Sequence, residues 1–149
     1  PYFKPDEETD LYVKSVPFED VVQQSDIISI HCPADGNMNL FNEKVFKKMK
    51  DTAILINVAR GGIINENDLE KALSDHQIGG ACLDCMLGEP VDKDSPLFKF
   101  DNVIVTPHMA WYSEEASQEL KRKVAEESVR FLRGEPIHYP ANKVIGVIR

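Results

Sequence analysis

Along the chain, apolar residues fall into short unbroken runs separated by helical stripes. Residues 1–14 carry many charges and two prolines and read as loop. Val16 to Gln24 sets Val16, Phe18, Val21 and Val22 at helical spacing. Glu19 and Asp20 sit in its first turn, where the helix dipole favours acid. Asp26–His31 (DIISIH) predicts a strand, ended by Cys32-Pro33 because proline donates nothing to a ladder. Ala34 to Leu40 is a polar loop with Gly36. Asn42 then caps a helix over Glu43–Lys50, with Val45, Phe46 and Met49 on one face. Ala53–Val58 is an apolar run suited to a strand buried on both faces, as in a parallel sheet.

Asn65 caps the next helix, whose apolar side is Leu69, Ala72 and Leu73. Asp68 stands at its third helical position, as in a capping box. Gly79-Gly80 leads into a strand at Ala81–Asp84, and Cys85–Asp101 is a long loop. Val103–Thr106 is the last strand of the set, stopped by Pro107. Ser113 caps a long helix over Glu114–Arg133, striped by Leu120, Val124, Phe131 and Leu132 and ended by Gly134 and Pro136. The tail from Ile137 to Arg149, with Val144, Ile145, Val147 and Ile148, predicts a further strand, placed in a different domain. Strand alternating with helix predicts βαβ units: an α/β fold with a doubly wound parallel sheet.

Composition narrows the partners. The chain has 149 residues, 42% of them hydrophobic, and a net charge of -8. That balance disfavours nucleic acid and anionic membrane, which reward clustered Lys and Arg. No apolar run reaches the length of a membrane span, and Pro1-Tyr2-Phe3-Lys4-Pro5 shows no signal-peptide pattern. Three cysteines, an odd number, argue against a disulfide framework and fit a reducing cytoplasm.

Ligands of open α/β sheets bind beyond the carboxyl ends of strands. Arg60, Asp84, Glu89 and His108 all follow predicted strand ends, so all four face one rim. A guanidinium there is costly unless an anion meets it. Arg60 therefore either grips an anionic substrate or pairs with a nearby carboxylate. Gly61-Gly62 behind it permits a tight turn or close approach to a ligand. A histidine suits proton exchange, and a carboxylate partner such as Glu89 would orient His108. His76 reads as solvated, His138 as a tail residue and His31 as structural. Together the rim residues suit one kind of chemistry, in which a small carboxylic acid is held while a proton moves at its neighbouring oxygen. Cys82 and Cys85 form a CxxC, but no second pair completes a zinc site and the pair straddles a strand end, so no metal is expected. Trp111 either packs against the sheet or walls the substrate pocket.

Val58-Ala59-Arg60-Gly61-Gly62, Gly80-Ala81-Cys82-Leu83-Asp84, Glu89-Pro90 and Thr106-Pro107-His108 together resemble the D-isomer-specific 2-hydroxyacid dehydrogenase family. Their order and spacing match from Val16 to Asn142. The resemblance implies a Rossmann-like fold and hydride transfer between a nicotinamide cofactor and C2 of a small 2-oxo acid. It implies that Arg60 binds and polarises that acid, that His108 gives and takes the proton, and that Glu89 pairs with His108. It implies that Asp84 meets the nicotinamide carboxamide, and that Cys32, Pro33, Val58, Ala59 and Ala110 line the cofactor site beside Arg60 and His108. It also implies a homodimer. Glu89 speaks against the formate dehydrogenase branch, which has glutamine in that role.

Ala110-Trp111-Tyr112-Ser113-Glu114 is similar to the C-terminal-binding-protein subgroup, which implies a Trp111-walled pocket for acids with an apolar tail. That likeness keeps a second function open, an NAD-sensing corepressor with little turnover. Two departures stand out. The loop after Pro33 is one residue shorter than the family's and lacks its threonines. The eight glycines never form G-x-G-x-x-G, so the first β-α unit with its pyrophosphate cradle is missing. The expectation is the C-terminal part of a longer enzyme, with residues 1–134 in the dinucleotide domain and residues 135–149 returning to the substrate domain. Such a piece should bind dinucleotide poorly alone. The acid that discriminates NAD from NADP would lie upstream, so NAD is implied and NADP stays open.

Overall fold

The structure is a computed structural model that describes residues 13–141. The loop expected over residues 1–14 and the strand expected near residues 144–148 fall mostly or wholly outside the described residues. The chain divides into two compact units, Pro1–Ala110 and Trp111–Arg149, whereas the sequence reading carries the dinucleotide domain on to residue 134.

In the first unit, helix α1 (Phe18–Gln24) leads into strand β1 (Ile27–Ile30), and helix α2 (Glu43–Phe46) into β2 (Ile54–Asn57). Helix α3 (Glu66–Ser74) leads into β3 (Gly80–Leu83), and a 3-10 turn at Pro96–Lys99 into β4 (Val103–Val105). The loop expected over 85–101 thus contains that turn, started by Ser95, whose hydroxyl accepts from the Leu97 amide, and by Pro96 at its first position. The four strands are parallel and lie in sequential order, β1-β2-β3-β4. Order without reversal means the described sheet is wound in one direction only. This is one half of a doubly wound architecture.

That single winding explains a correction to β2. One face of the sheet, carrying Ile28, Leu55, Ala81 and Leu83, is buried in a core with Phe46, Leu69 and Leu73. On the other face Ile27 is 64% exposed and Ile104 61% exposed, with Ile54, Ile56 and Cys82 half-buried between them. β2 is therefore fully buried on one face, not both.

Caps follow the sequence with one exception. Asn42 accepts from the Lys44 amide and Asn65 from the Asp68 amide. The Asp68 carboxylate does not return to Asn65, so the capping box is half formed. It accepts instead from the Glu43 amide at 3.0 Å, tying the starts of α2 and α3 together, while the Asn65 amide donates to the Phe41 carbonyl. α2 is shorter than expected: after Phe46 the chain turns, with Phe46 and Met49 buried and Val45 half-buried.

The second unit holds helix α4 (Glu114–Leu132), capped by Ser113, whose hydroxyl accepts from the Ala116 amide. It ends before Gly134, which takes the left-handed conformation at φ 69. No described helix is long and apolar enough to cross a membrane.

Candidate active site

The carboxyl ends of β2 and β3 each carry a buried polar residue, and each builds a turn. At the end of β2, Asn57 is fully buried. Its side-chain oxygen accepts from the Ala59 amide at 3.1 Å, and its Nδ2 donates to the carbonyls of Arg60 at 2.9 Å and Cys85 at 3.4 Å. Every polar atom of the amide is thus used to fold residues 58–60 outward. Gly61 follows because nothing larger fits: a Cβ there would overlap the Met86 carbonyl group. The Gly61–Ile63 turn is then laced to the preceding loop, the Asn39 amide donating to Gly62 and the Phe41 amide to Ile63. Arg60 emerges from this frame exposed. Its Nη1 donates to the Ala59 carbonyl at 2.6 Å, and among the described residues no carboxylate pairs with it.

At the end of β3, Asp84 is 6% exposed. Its Oδ1 accepts from the Thr106 hydroxyl at 2.6 Å and the Met109 amide at 2.8 Å, and its Oδ2 from the Ala110 amide at 2.9 Å. Burial pushes this carboxyl up. Those three donors and the nearby His108 outweigh burial and hold it below the usual aspartate range. The Asp84 carbonyl also accepts from the His108 amide at 3.0 Å. Asp84 therefore clamps the turn that carries His108. That turn needs a clamp, because His108 sits in the left-handed region at φ 50.

His108 Nδ1 lies 2.7 Å from Glu89 Oε2, with both side chains 41% exposed. Glu89 is carried by the loop after β3, just past Gly88 at φ 76. The two residues come from chain positions nineteen apart and meet only because β3 and β4 are neighbours.

One cleft of about 790 Å³ gathers these groups. Arg60, Glu89 and His108 line it, with Cys32, Pro33, Ala34 and Ala59 as a wall of small side chains. Gly61, Gly62, Met86, Leu87 and Gly88 complete it, and His31 lines it too. The sequence reads His31 as structural; its Nε2 is 2.8 Å from the Ser29 hydroxyl, at the mouth of β1. A second hollow of about 450 Å³ lies against the other side of the same turn, lined by Asp84, Glu89, Phe98, Val105, Thr106 and His108 among others.

Of the residues singled out from sequence, Arg60, Glu89, His108, Cys32, Pro33 and Ala59 share the first cleft. Asp84 lies under the His108 turn and lines the second hollow, and Ala110 contributes an amide to Asp84. Val58 is half-buried and is not on either wall. Trp111 opens the second unit, its ring edge-on to Tyr112 at 5.6 Å. His76 is exposed at the end of α3, in keeping with a solvated residue. Cys82 and Cys85 are both free; Cys82 is on the less buried sheet face, while Cys85 is buried and its Sγ donates to the Ala59 carbonyl at 3.4 Å. Burial, with the Asp84 and Glu89 charges, pushes the Cys85 thiol up, against a smaller pull from Arg60. Sequence reasoning missed Asn57 and Thr106. A polar residue ending an apolar run is the signal that finds such turn-builders.

The arrangement by itself defines a class: a parallel α/β half-sheet with a paired histidine and glutamate, and an arginine that meets no carboxylate among the described residues, beyond its carboxyl edge. The small side chains beside β1 and β2 leave room there for a flat ring, so the site fits the reacting end of a nicotinamide dinucleotide. Residues 1–110 match the family described as D-isomer specific 2-hydroxyacid dehydrogenase, NAD binding domain. The chain belongs to that family. It is 39% identical over 131 residues to a glyoxylate reductase of Korarchaeum cryptofilum, covering 87% of this chain and 40% of that one. It is 42% identical over 124 residues to a glycerate dehydrogenase of Methylorubrum extorquens, covering 81% of this chain and 40% of the relative. Among solved structures, D-lactate dehydrogenase with NAD+ from Lactobacillus jensenii superposes with a TM-score of 0.85 at 30% identity, over 95% of this chain and 46% of that one. The chain spans about 40% of the length of these curated relatives.

Proposed function

We propose that this chain supplies the reacting end of the dinucleotide domain in an NAD(P)-dependent D-2-hydroxyacid dehydrogenase. The observation that carries the reading is that Arg60, which meets no carboxylate among the described residues, and the Glu89–His108 pair line one cleft. When bound, the nicotinamide supplies or accepts the hydride exchanged with C2 of the substrate. Arg60 grips the carboxylate of a small 2-oxo acid and draws charge from its keto oxygen. His108, oriented through Nδ1 by Glu89, works through Nε2. It protonates the C2 oxygen on reduction and takes the proton back on oxidation. Cys32, Pro33 and Ala59 serve the cofactor side of the site, while Asp84, with the Ala110 amide, holds the histidine turn there.

The test is NADH oxidation by the whole protein against a panel of 2-oxo acids, with the product's handedness determined. Turnover giving the D-hydroxy acid is expected. His108→Asn, which tolerates the left-handed backbone, should lower kcat by about 10²–10⁴ while NADH still binds. Unchanged turnover in that variant sinks the assignment. Tight dinucleotide binding with no turnover of any 2-oxo acid would favour the sensor reading instead.

A further inference from the structure

The CxxC of the sequence does not act as a pair. Cys82 lies within β3, and Cys85 turns to different company. The Cys85 Sγ, a Glu89 carboxylate oxygen and a His108 ring nitrogen all lie within 4.8 Å of one another. These are three different ligating groups from two chain segments, Cys85 buried and Glu89 and His108 lining the cleft.

A tetrahedral zinc ion with bonds of about 2.0–2.3 Å holds its ligand atoms roughly 3.4–3.6 Å apart. The Glu89–His108 contact, now 2.7 Å, would open by about an ångström. The longest separation in the trio would close by about as much. Both shifts are within reach of side-chain torsions, since Glu89 and His108 are each 41% exposed and have room to turn. A thiolate, an imidazole and a carboxylate make a set that prefers zinc and its neighbours to magnesium or calcium.

We propose that Cys85, Glu89 and His108 form a binding site for a thiophilic divalent cation, zinc in particular. A cation there takes the oxygen and nitrogen that Glu89 and His108 now share. Occupancy and the acid–base work of the pair then exclude each other, so the site is inhibitory; that consequence alone rests on the dehydrogenase reading.

The test is direct titration of the protein with cadmium, a spectroscopic stand-in for zinc, followed by zinc displacement. Ultraviolet thiolate-to-cadmium absorption should saturate at one ion per chain and be reversed by added zinc. Cys85→Ala should abolish it, whereas Cys32→Ser and Cys82→Ser should leave it intact. Glu89→Gln and His108→Asn should each weaken binding by about tenfold or more. Circular dichroism confirms that each variant folds, and the two ligand variants outside the core keep the test open should Cys85→Ala fail to fold. Absorption that persists in Cys85→Ala, that vanishes in either other cysteine variant, or that is indifferent to Glu89 and His108 overturns the proposal. Because the readout is absorption, the result is independent of whether any 2-oxo acid is turned over.

Discussion

Replacing Asp84 by Asn should unseat His108 from beneath. Asp84 is 6% exposed and accepts three hydrogen bonds, from Thr106, Met109 and Ala110. Asparagine has the same shape, so the packing is preserved and only the electrostatics change. Its oxygen can keep the Thr106 and Met109 bonds as neutral ones. Its NH₂ would then face the Ala110 amide, donor against donor. A hydrogen bond to a charged acceptor is worth about 1.5–3 kcal/mol, and an orphaned buried amide costs a similar amount. The expected loss is therefore about 2–4 kcal/mol, much of it local to residues 108–110.

Two measurements on one sample test this. Urea unfolding should show the midpoint reduced with an unchanged slope. Hydrogen exchange should show the Met109 and Ala110 amides losing protection beyond the global change. The pH dependence carries a sign. The Asp84 carboxyl is held below its ordinary value of 3.8, so its stabilisation is present above that value. It is lost as pH falls through the lower folded-state value. The gap between wild type and Asp84→Asn should thus persist at neutral pH and close in strong acid. A gap below about 0.5 kcal/mol at pH 7, or one that widens in acid, would refute the clamp.

Three further outcomes are expected. Gly61→Ala should destabilise the protein by about 1–3 kcal/mol or more in chemical unfolding, because its Cβ overlaps the Met86 carbonyl; a neutral result would mean the β2 and β3 turns are not in contact. Glu89→Gln keeps an acceptor oxygen for the His108 ring but loses the charge, and should lower kcat by about 10²-fold with little change in KM. Equal kinetics would make Glu89 a bystander. Arg60→Lys keeps the charge and loses the planar fork, so kcat/KM for 2-oxo acids should fall by about 10–100-fold, the worth of one charged hydrogen bond.

The strands and the three side-chain caps were legible because each has a local cause. Apolar runs bounded by Pro33 and Pro107 make strands, and Asn42, Asn65 and Ser113 reach only two or three residues along their own chain. The features that sequence does not reveal depend on distant partners. Asp68 could have closed a box with Asn65, but the Glu43 amide, 25 residues away, competes for the same carboxylate and wins. The one-sided burial of β2 depends on the order of the whole sheet, which no six-residue window contains. The rim residues were legible for a different reason. In a parallel sheet every strand points the same way, so charges that follow strand ends must share an edge wherever the loops wander. Asn57 reads as the tail of an apolar run, and its three hydrogen bonds exist only once that run is folded.

Those turn-builders also explain why the site geometry is stiff. Asn57 folds the Arg60 turn and Asp84 folds the His108 turn. The two are not independent, because the Asp84 amide donates to the Asn57 carbonyl at 2.9 Å, extending the β2–β3 ladder by one more rung. The arginine turn leaves β2 and the histidine turn leaves β4, with β3 and Asp84 between them, so two backbone-bonded strand spacings of about 4.8 Å each separate them. Surface loops around the cleft can change length without moving that spacing. A substitution at either buried polar residue keeps that rung, which runs backbone to backbone, but releases the turn its own side chain holds.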